Sequence, residues 1–319
     1  MEGGFHLNDR QRRGNAGKFE KLNSMAGISY ALIGGSLWGI SGTVSSVLFS
    51  QYGMPYLSLV TIRMLLPGLI LVTILRPAFP KGDLKRFFLF SIFGLFGVQI
   101  FYLATIAYSN APTATLLQYL FFPMVIAVEV AMKRIGFTLA IAISLLLAIV
   151  GTFELSTGYP SQTTGIILSE GALVLGLLSA LTAAYYTLVT STLIRKHGTM
   201  PVISWGFIVG GLISVPFSFA PTVVFFSRIN IPEIAPVILL TVFVAFFGTI
   251  IAFGLYMKSM SRISATKASL AGTMEPISAA LSSALFLGIF LTPFQYVGGS
   301  MIICAILVVQ FFSKETGKS

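Results

Sequence analysis

From Met25 onward the chain is a succession of apolar runs about twenty residues long, each closed by a short polar or basic break. A helix rises about 1.5 Å per residue, so about twenty residues cross a hydrocarbon core about 30 Å thick. Backbone N–H and C=O groups cannot stay unpaired in hydrocarbon, and a run of this kind crosses it as a helix. The runs fall at 25–50, 56–75, 85–108, 111–132, 136–154, 164–194, 201–219, 234–258, 264–287 and 292–313. They predict an all-α integral membrane protein with ten transmembrane helices. Charge agrees: 9% of the 319 residues are charged, against about 25% in soluble domains. The first run follows a hydrophilic tail and reads as a spanning helix, not a cleaved signal peptide.

The basic residues sort by loop. Arg10, Arg12, Arg13, Lys18 and Lys21 lie in the tail, and Arg76, Lys81, Lys85 and Arg86 between the second and third runs. Pairs then follow alternate helices: Lys133 and Arg134, Arg195 and Lys196, Lys258 and Arg262, then Lys314 and Lys318. The opposite loops hold only Arg228. Cytoplasmic loops carry the excess of Lys and Arg, so both termini are expected in the cytoplasm and the protein in the plasma membrane. This distribution accounts for the formal charge of +10 without nucleic acid. Single Cys304 excludes an intrachain disulfide, and His6 and His197 are the only histidines. No metal site and no cofactor are expected, and no P-loop is present.

The chain also resembles itself. "NAPTATLLQYLFFP" (Asn110–Pro123) aligns without gaps on "ISATKASLAGTMEP" (Ile263–Pro276), setting helix four on helix nine and Pro123 on Pro276. Pro55 and Pro201 match at the starts of helices two and seven. The expected organisation is a basic tail (1–24), a first five-helix repeat (25–154), a second (164–313) and a short tail (314–319). Five spans are an odd number, so the second repeat is inverted relative to the first. Inverted repeats recur in transporters, with the binding site near the midplane where they meet.

These features together resemble the EamA-type transporters of the drug/metabolite transporter superfamily, over essentially all ten helices. "LWGISGTVSS" (Leu37–Ser46), Pro55 followed by Arg63, and "FYLATIAYSNAPTATLL" carry the resemblance in the first half. "ATKASLAGTMEPISAALSSALFLG" and "FQYVGGSMIICAILV" carry it in the second. The sequence departs from the family where Gly-Glu often follows helices four and nine: here Lys133 precedes Arg134, and Gly288 precedes Ile289. The resemblance implies a substrate cavity lined mainly by helices one, three, four, six, eight and nine. It also implies export of amino acids, related metabolites or drugs.

Polar groups inside the bilayer must face protein or water, and each is a candidate for function. Glu275 lies about 17 Å into helix nine at 1.5 Å per residue, near the midplane, beside the helix-kinking Pro276. Lys267, Ala271 and Glu275 share a face that the repeat maps on Ala114, Gln118 and Phe122 of helix four. Glu275 reads either as a substrate-amine ligand or protonatable gate, or as a structural carboxyl. Arg63 in helix two reads either as a carboxylate clamp or as the partner of Glu170 in a structural ion pair. Glu129 is expected to pair with Lys133 one turn on, and Lys267 to reach the cytoplasmic surface. Trp38, Tyr102, Tyr119, Tyr185 and Tyr256, with Gln118, complete the candidate cavity; their rings can stack on a solute or hold a cation. Gly34, Gly35, Gly39 and Gly42 are expected to let helix one approach its neighbours closely.

The leading expectation is a secondary transporter, not an enzyme, exporting a small organic solute by alternating access. The expected partners are that solute and membrane lipids, in a monomer or weak homodimer, with coupling either to protons through Glu275 or absent, as in a facilitator. The alternative is an integral-membrane enzyme acting on a lipid, or a structural membrane protein. An enzyme calls for clustered Asp, Glu, His or Cys, and the ten acids are scattered singly. A scaffold calls for neither a midplane carboxylate nor an inverted repeat.

Overall fold

Where the chain turns is set by its capping residues. Asn110 Oδ1 accepts the Thr113 N–H at 2.9 Å, with Pro112 in the same first turn, where its missing N–H costs nothing. Ser169 Oγ accepts the Ala172 N–H at 3.2 Å in the same way. Gly198 (φ +84) separates two long helices, and Gly288 (φ +64) ends another; these are left-handed conformations that favour glycine.

The computed structural model describes residues 9–157, 168–263, 268 and 271–312, with side chains from residue 22 except at 156–157, 191 and 309–312. The helices are α1 (Asp9–Ser50), α2 (Tyr56–Leu75), α3 (Lys81–Tyr108), α4 (Ala111–Ala131) and α5 (Leu139–Thr157). They continue as α6 (Glu170–His197), α7 (Thr199–Arg228), α8 (Ile231–Met260), α9 (Met274–Leu287) and α10 (Pro293–Phe312). No strand occurs among the described residues. Seven of these helices are long and apolar enough to cross a membrane; shorter apolar stretches run over Leu139–Leu155, Met274–Leu287 and Pro293–Val308. Large apolar side chains such as Leu139, Ile149, Leu239 and Phe286 stay exposed, as a lipid-facing surface requires.

Several boundaries differ from the expected ones. Helix α1 starts at Asp9, inside the basic tail, because Gly14 and Gly17 lower helix propensity without stopping a helix. Helix α7 runs on to Arg228 through Pro216 and Pro221. Proline is tolerated inside spanning helices because neighbouring groups can satisfy the freed carbonyls. Lys267, residues 158–167 and the tail 314–319 lie outside the described residues.

The helix pairs follow a rule. α2 packs on α7 and α5 on α10, while α1 packs on α8 and α9 and α6 packs on α3 and α4. Exchanging each helix of one half for its counterpart in the other leaves this set unchanged. Single contacts obey the same exchange. Ser144 Oγ donates to Ala305 O at 2.7 Å. Gly298 and Ala305 follow Ser144 and Gly151 by 154 residues, and the image contact exists: a Cβ on Gly151 would lie 2.7 Å from Gly298 O. Thr61 Oγ1 lies 2.7 Å from Ser214 Oγ. Shifted by 146 residues, that pair becomes Phe207 and Gly68, where a Cβ on the glycine would lie 3.1 Å from Phe207 Cβ. The wider-wound π-helical turns also come in a pair, Phe90–Phe96 in α3 and Phe246–Ile251 in α8.

Candidate functional site

The site begins with two prolines. Pro276 has no N–H, so the Gly272 carbonyl four residues earlier loses its helical donor. The chain turns at Thr273 (φ −63, ψ −3) before α9 begins. Pro123 does the same to α4, which breaks at Leu120 (φ −59, ψ −13) between Ala111–Tyr119 and Phe121–Ala131. The freed Gly272 carbonyl accepts the Tyr119 hydroxyl at 2.9 Å. The same hydroxyl lies 3.0 Å from Glu275 Oε2. A phenol has one proton and serves one of these acceptors at a time. With a protonated carboxyl both contacts can be made at once: Glu275 donates to the phenol oxygen, and the phenol to Gly272.

Helix α1 seals one side of this turn. A Cβ on Gly35 would lie 3.1 Å from Gly272 O, and one on Gly39 would lie 2.7 Å from Ala279 N. Only glycine lets the two backbones approach so closely. One turn further, Thr43 Oγ1 lies 2.6 Å from Ser282 Oγ and 3.0 Å from Ser283 Oγ, so the interface is bonded as well as packed. Glu275 remains half-buried, with Oε2 on the Tyr119 hydroxyl.

On the far side stands Arg63, 6% exposed. Its Nε donates to Thr249 Oγ1 at 3.3 Å, and Thr249 in turn donates to Val244 O at 3.2 Å across the π-helical turn of α8. Arg63 Nη1 has no hydrogen-bond partner. A buried donor left unmade costs about 1–3 kcal/mol, and more when charged. The ion pair expected between Arg63 and Glu170 is not formed. Glu170 is exposed at the start of α6, whereas Arg63 is buried in the helix interior. The opposite charge that acts on Arg63 is Glu275, from beyond ion-pair contact. Tyr102 is buried, and its hydroxyl lies 3.0 Å from Thr115 Oγ1.

The remaining candidates divide. Trp38 and Tyr256 pack with ring centroids 5.1 Å apart. Gln118 Nε2 donates to Ser179 Oγ at 3.0 Å, which ties α4 to α6. Tyr185 stands apart, near Arg86. Its neighbour Tyr186 is the inward one, stacked on Phe90 at 5.4 Å and within electrostatic reach of Tyr256. Tyr186 follows Ser179 by two helical turns, a spacing that points to the same face. Thr249 and Thr115 belong to the cluster as well, and a threonine in an apolar run carries no signal in the sequence. Glu129 does not pair with Lys133: α4 ends at Ala131 and Lys133 turns left-handed (φ 57). A cleft of about 450 Å³ beside Pro55, Pro221, Arg228 and Glu233 shares no residue with the Glu275 cluster.

Comparison with known proteins places this geometry. The model of the EamA-like transporter family matches residues 25–157 and again 171–311. The chain is 34% identical over 305 residues to the "Uncharacterized inner membrane transporter YicL" of Salmonella typhimurium (strain LT2), covering 92% of this chain and 98% of that protein. A solved protein crystal structure shares the fold with a TM-score of 0.58 at 15% identity, over 91% of this chain and 99% of the other.

Proposed function

The chain belongs to the EamA-like transporter family and is a multi-pass membrane transporter, not an enzyme; on that premise we propose that it exports a small organic solute by alternating access. The solute is an amino acid, a related metabolite or an amphiphilic drug. The ten helices act as two inverted five-helix repeats with both termini in the cytoplasm, in the plasma membrane. The exchange symmetry of the helix pairs and the excess of basic residues in alternate loops support this arrangement.

The observation that carries the proposal is the Tyr119–Glu275 contact at 3.0 Å. It joins two broken helices, one from each repeat, through a half-buried carboxyl group. Broken helices at a repeat interface are where transporters of inverted-repeat architecture bind their solutes. Protons are the proposed coupling ion, since a change of protonation at Glu275 changes which acceptor Tyr119 serves. Rocking one repeat against the other would part these two side chains and open the site to one side at a time.

Counterflow in proteoliposomes tests the proposal. Amino acids, nucleosides and cationic drugs are each preloaded and exchanged against label, with and without a pH gradient. Saturable exchange of one class, accelerated by the gradient, is expected. Absence of exchange for every class would contradict it.

A further inference from the structure

Far from the Glu275 cluster, two cations meet at one aromatic ring. Lys258 Nζ lies 5.0 Å and Arg262 Cζ 5.1 Å from the centroid of the Tyr30 ring. Tyr30 belongs to α1, whereas Lys258 sits in the last turn of α8 and Arg262 just past it. The backbone fixes the pair. Beyond Met260 the chain makes one further turn, with the N–H groups of Arg262 and Ile263 both donating to Ser259 O, at 2.8 and 3.0 Å. Gly27 lets α1 lie against that turn: a Cβ there would stand 3.0 Å from Arg262 Cβ and 2.8 Å from Ile263 Cγ2.

Neither charge is used up locally. Basic side chains can cap the last carbonyls of a helix, but here the chain serves them itself. Met257 O accepts the Ser261 N–H, Lys258 O the Ser261 hydroxyl, and Ser259 O the two N–H groups just named. A ring face attracts cations but carries no net charge. Among the described residues neither cation forms an ion pair. The sequence holds no Asp or Glu between residues 21 and 82 or between 234 and 274. One turn away the surface becomes apolar. Gly254, four residues before Lys258 on the same face, is exposed, and a Cβ on it would meet nothing within 4 Å. Ile33, one turn beyond Tyr30 on α1, is 50% exposed. A pair of uncompensated cations above an open apolar lane has the outline of a lipid, with its phosphate at the cations.

We propose that Tyr30, Lys258 and Arg262 bind the phosphodiester of an anionic phospholipid in the cytoplasmic leaflet, with an acyl chain lying along Gly254 and Ile33. The leaflet follows from the orientation proposed above; the site itself is independent of the solute and of Glu275. Tyrosine and basic residues at headgroup level are suited to such a contact. Since α1 and α8 come from different repeats, the bound lipid spans both halves of the protein.

The test is thermal stabilisation of the purified full-length protein in neutral detergent. Phosphatidylglycerol, phosphatidylcholine with the same acyl chains, and inorganic phosphate are titrated separately. Phosphatidylglycerol should bind about tenfold more tightly than phosphatidylcholine, as two basic residues at a membrane surface would produce, and phosphate alone should give no shift. Lys258→Gln with Arg262→Gln should lose the preference. Lys258→Arg with Arg262→Lys, which keeps both charges, should retain it. Lys133→Gln with Arg134→Gln, which removes the same charge from another loop, should retain it as well. Gly254→Leu should weaken phosphatidylglycerol severalfold. Equal binding of the two lipids by wild type, or equal loss in the two glutamine pairs, would overturn the site. A shift with phosphate alone, or unchanged affinity in Gly254→Leu, would overturn the lipid as its occupant.

Discussion

Tyr119 Oη donates to Gly272 O at 2.9 Å, and the two residues stand 153 positions apart. That is also the separation of Pro123 and Pro276 and of the two turns at Leu120 and Thr273. Tyr119 and Gly272 are thus equivalent positions in the two halves, each four residues before its proline. Each carbonyl is freed by the same missing N–H, and the tyrosine of one half supplies the donor that the other half lacks.

Tyr119→Phe should therefore leave Gly272 O without its donor and Glu275 without its hydrogen bond. A lost hydrogen bond with a stranded buried acceptor costs about 1–3 kcal/mol, read as a melting-temperature drop of about 2–6 °C in detergent at about 2 °C per kcal/mol. Counterflow should slow by about tenfold. An unchanged melting temperature together with an unchanged rate would show that the contact does nothing.

Pro276→Ala should act from the other side of the same bond. Alanine restores the N–H that Gly272 O lacks, so the helix can close its own i to i−4 bond and release Tyr119. The expected outcome is a protein as stable as wild type or more so, but impaired in transport. Full activity in this variant would show that the break in the ninth helix is dispensable.

Gly39 carries the approach of α1 to α9. A Cβ there would lie 2.7 Å from Ala279 N, a backbone atom that cannot swing away. Gly39→Ala should lower stability by about 1–3 kcal/mol, and Gly39→Leu should yield no folded protein by size-exclusion chromatography. Gly53, whose added Cβ meets nothing within 4 Å, has φ +67 and is a poorer control than Gly254, where both space and backbone allow alanine. Gly254→Ala should leave the chromatogram unchanged.

The α5–α10 contact has its own test. Gly151 and Gly298 meet backbone to backbone, while the symmetry-related position is bridged by the Ser144 hydroxyl on Ala305 O at 2.7 Å. Ser144→Ala should cost about 1 kcal/mol, and Gly151→Val several times more, since a side chain cannot replace a missing gap. Equal melting temperatures for the two variants would mean that these helices do not pack as described.

Much of this was legible in the residues. Apolar runs of one helix length and the matching prolines point to the helices and the Glu275 turn, because each follows from a local backbone or solvation rule. Helix ends were less legible where no breaker marks them, as at Asp9 and Arg228. Side-chain partners were hardest. Arg63 and Glu170 are opposite charges at a similar expected depth, but pairing depends on helix neighbours and rotation, and Arg63 bonds Thr249 instead. Tyr185 and Tyr186 differ by 100° of helical rotation, and the pointer to Tyr186 is its two-turn spacing from Ser179, which becomes useful only once Ser179 is known to face Gln118.

The central claim is that Glu275 belongs to the transport path, and its most direct test is the pH dependence of counterflow in wild type and Glu275→Gln. Glutamine keeps the shape and one hydrogen-bond acceptor for Tyr119 but cannot exchange a proton. The account predicts that Glu275→Gln loses at least tenfold in rate and that whatever exchange remains no longer varies with pH. Equal rates with an equal pH profile in the two proteins would contradict it.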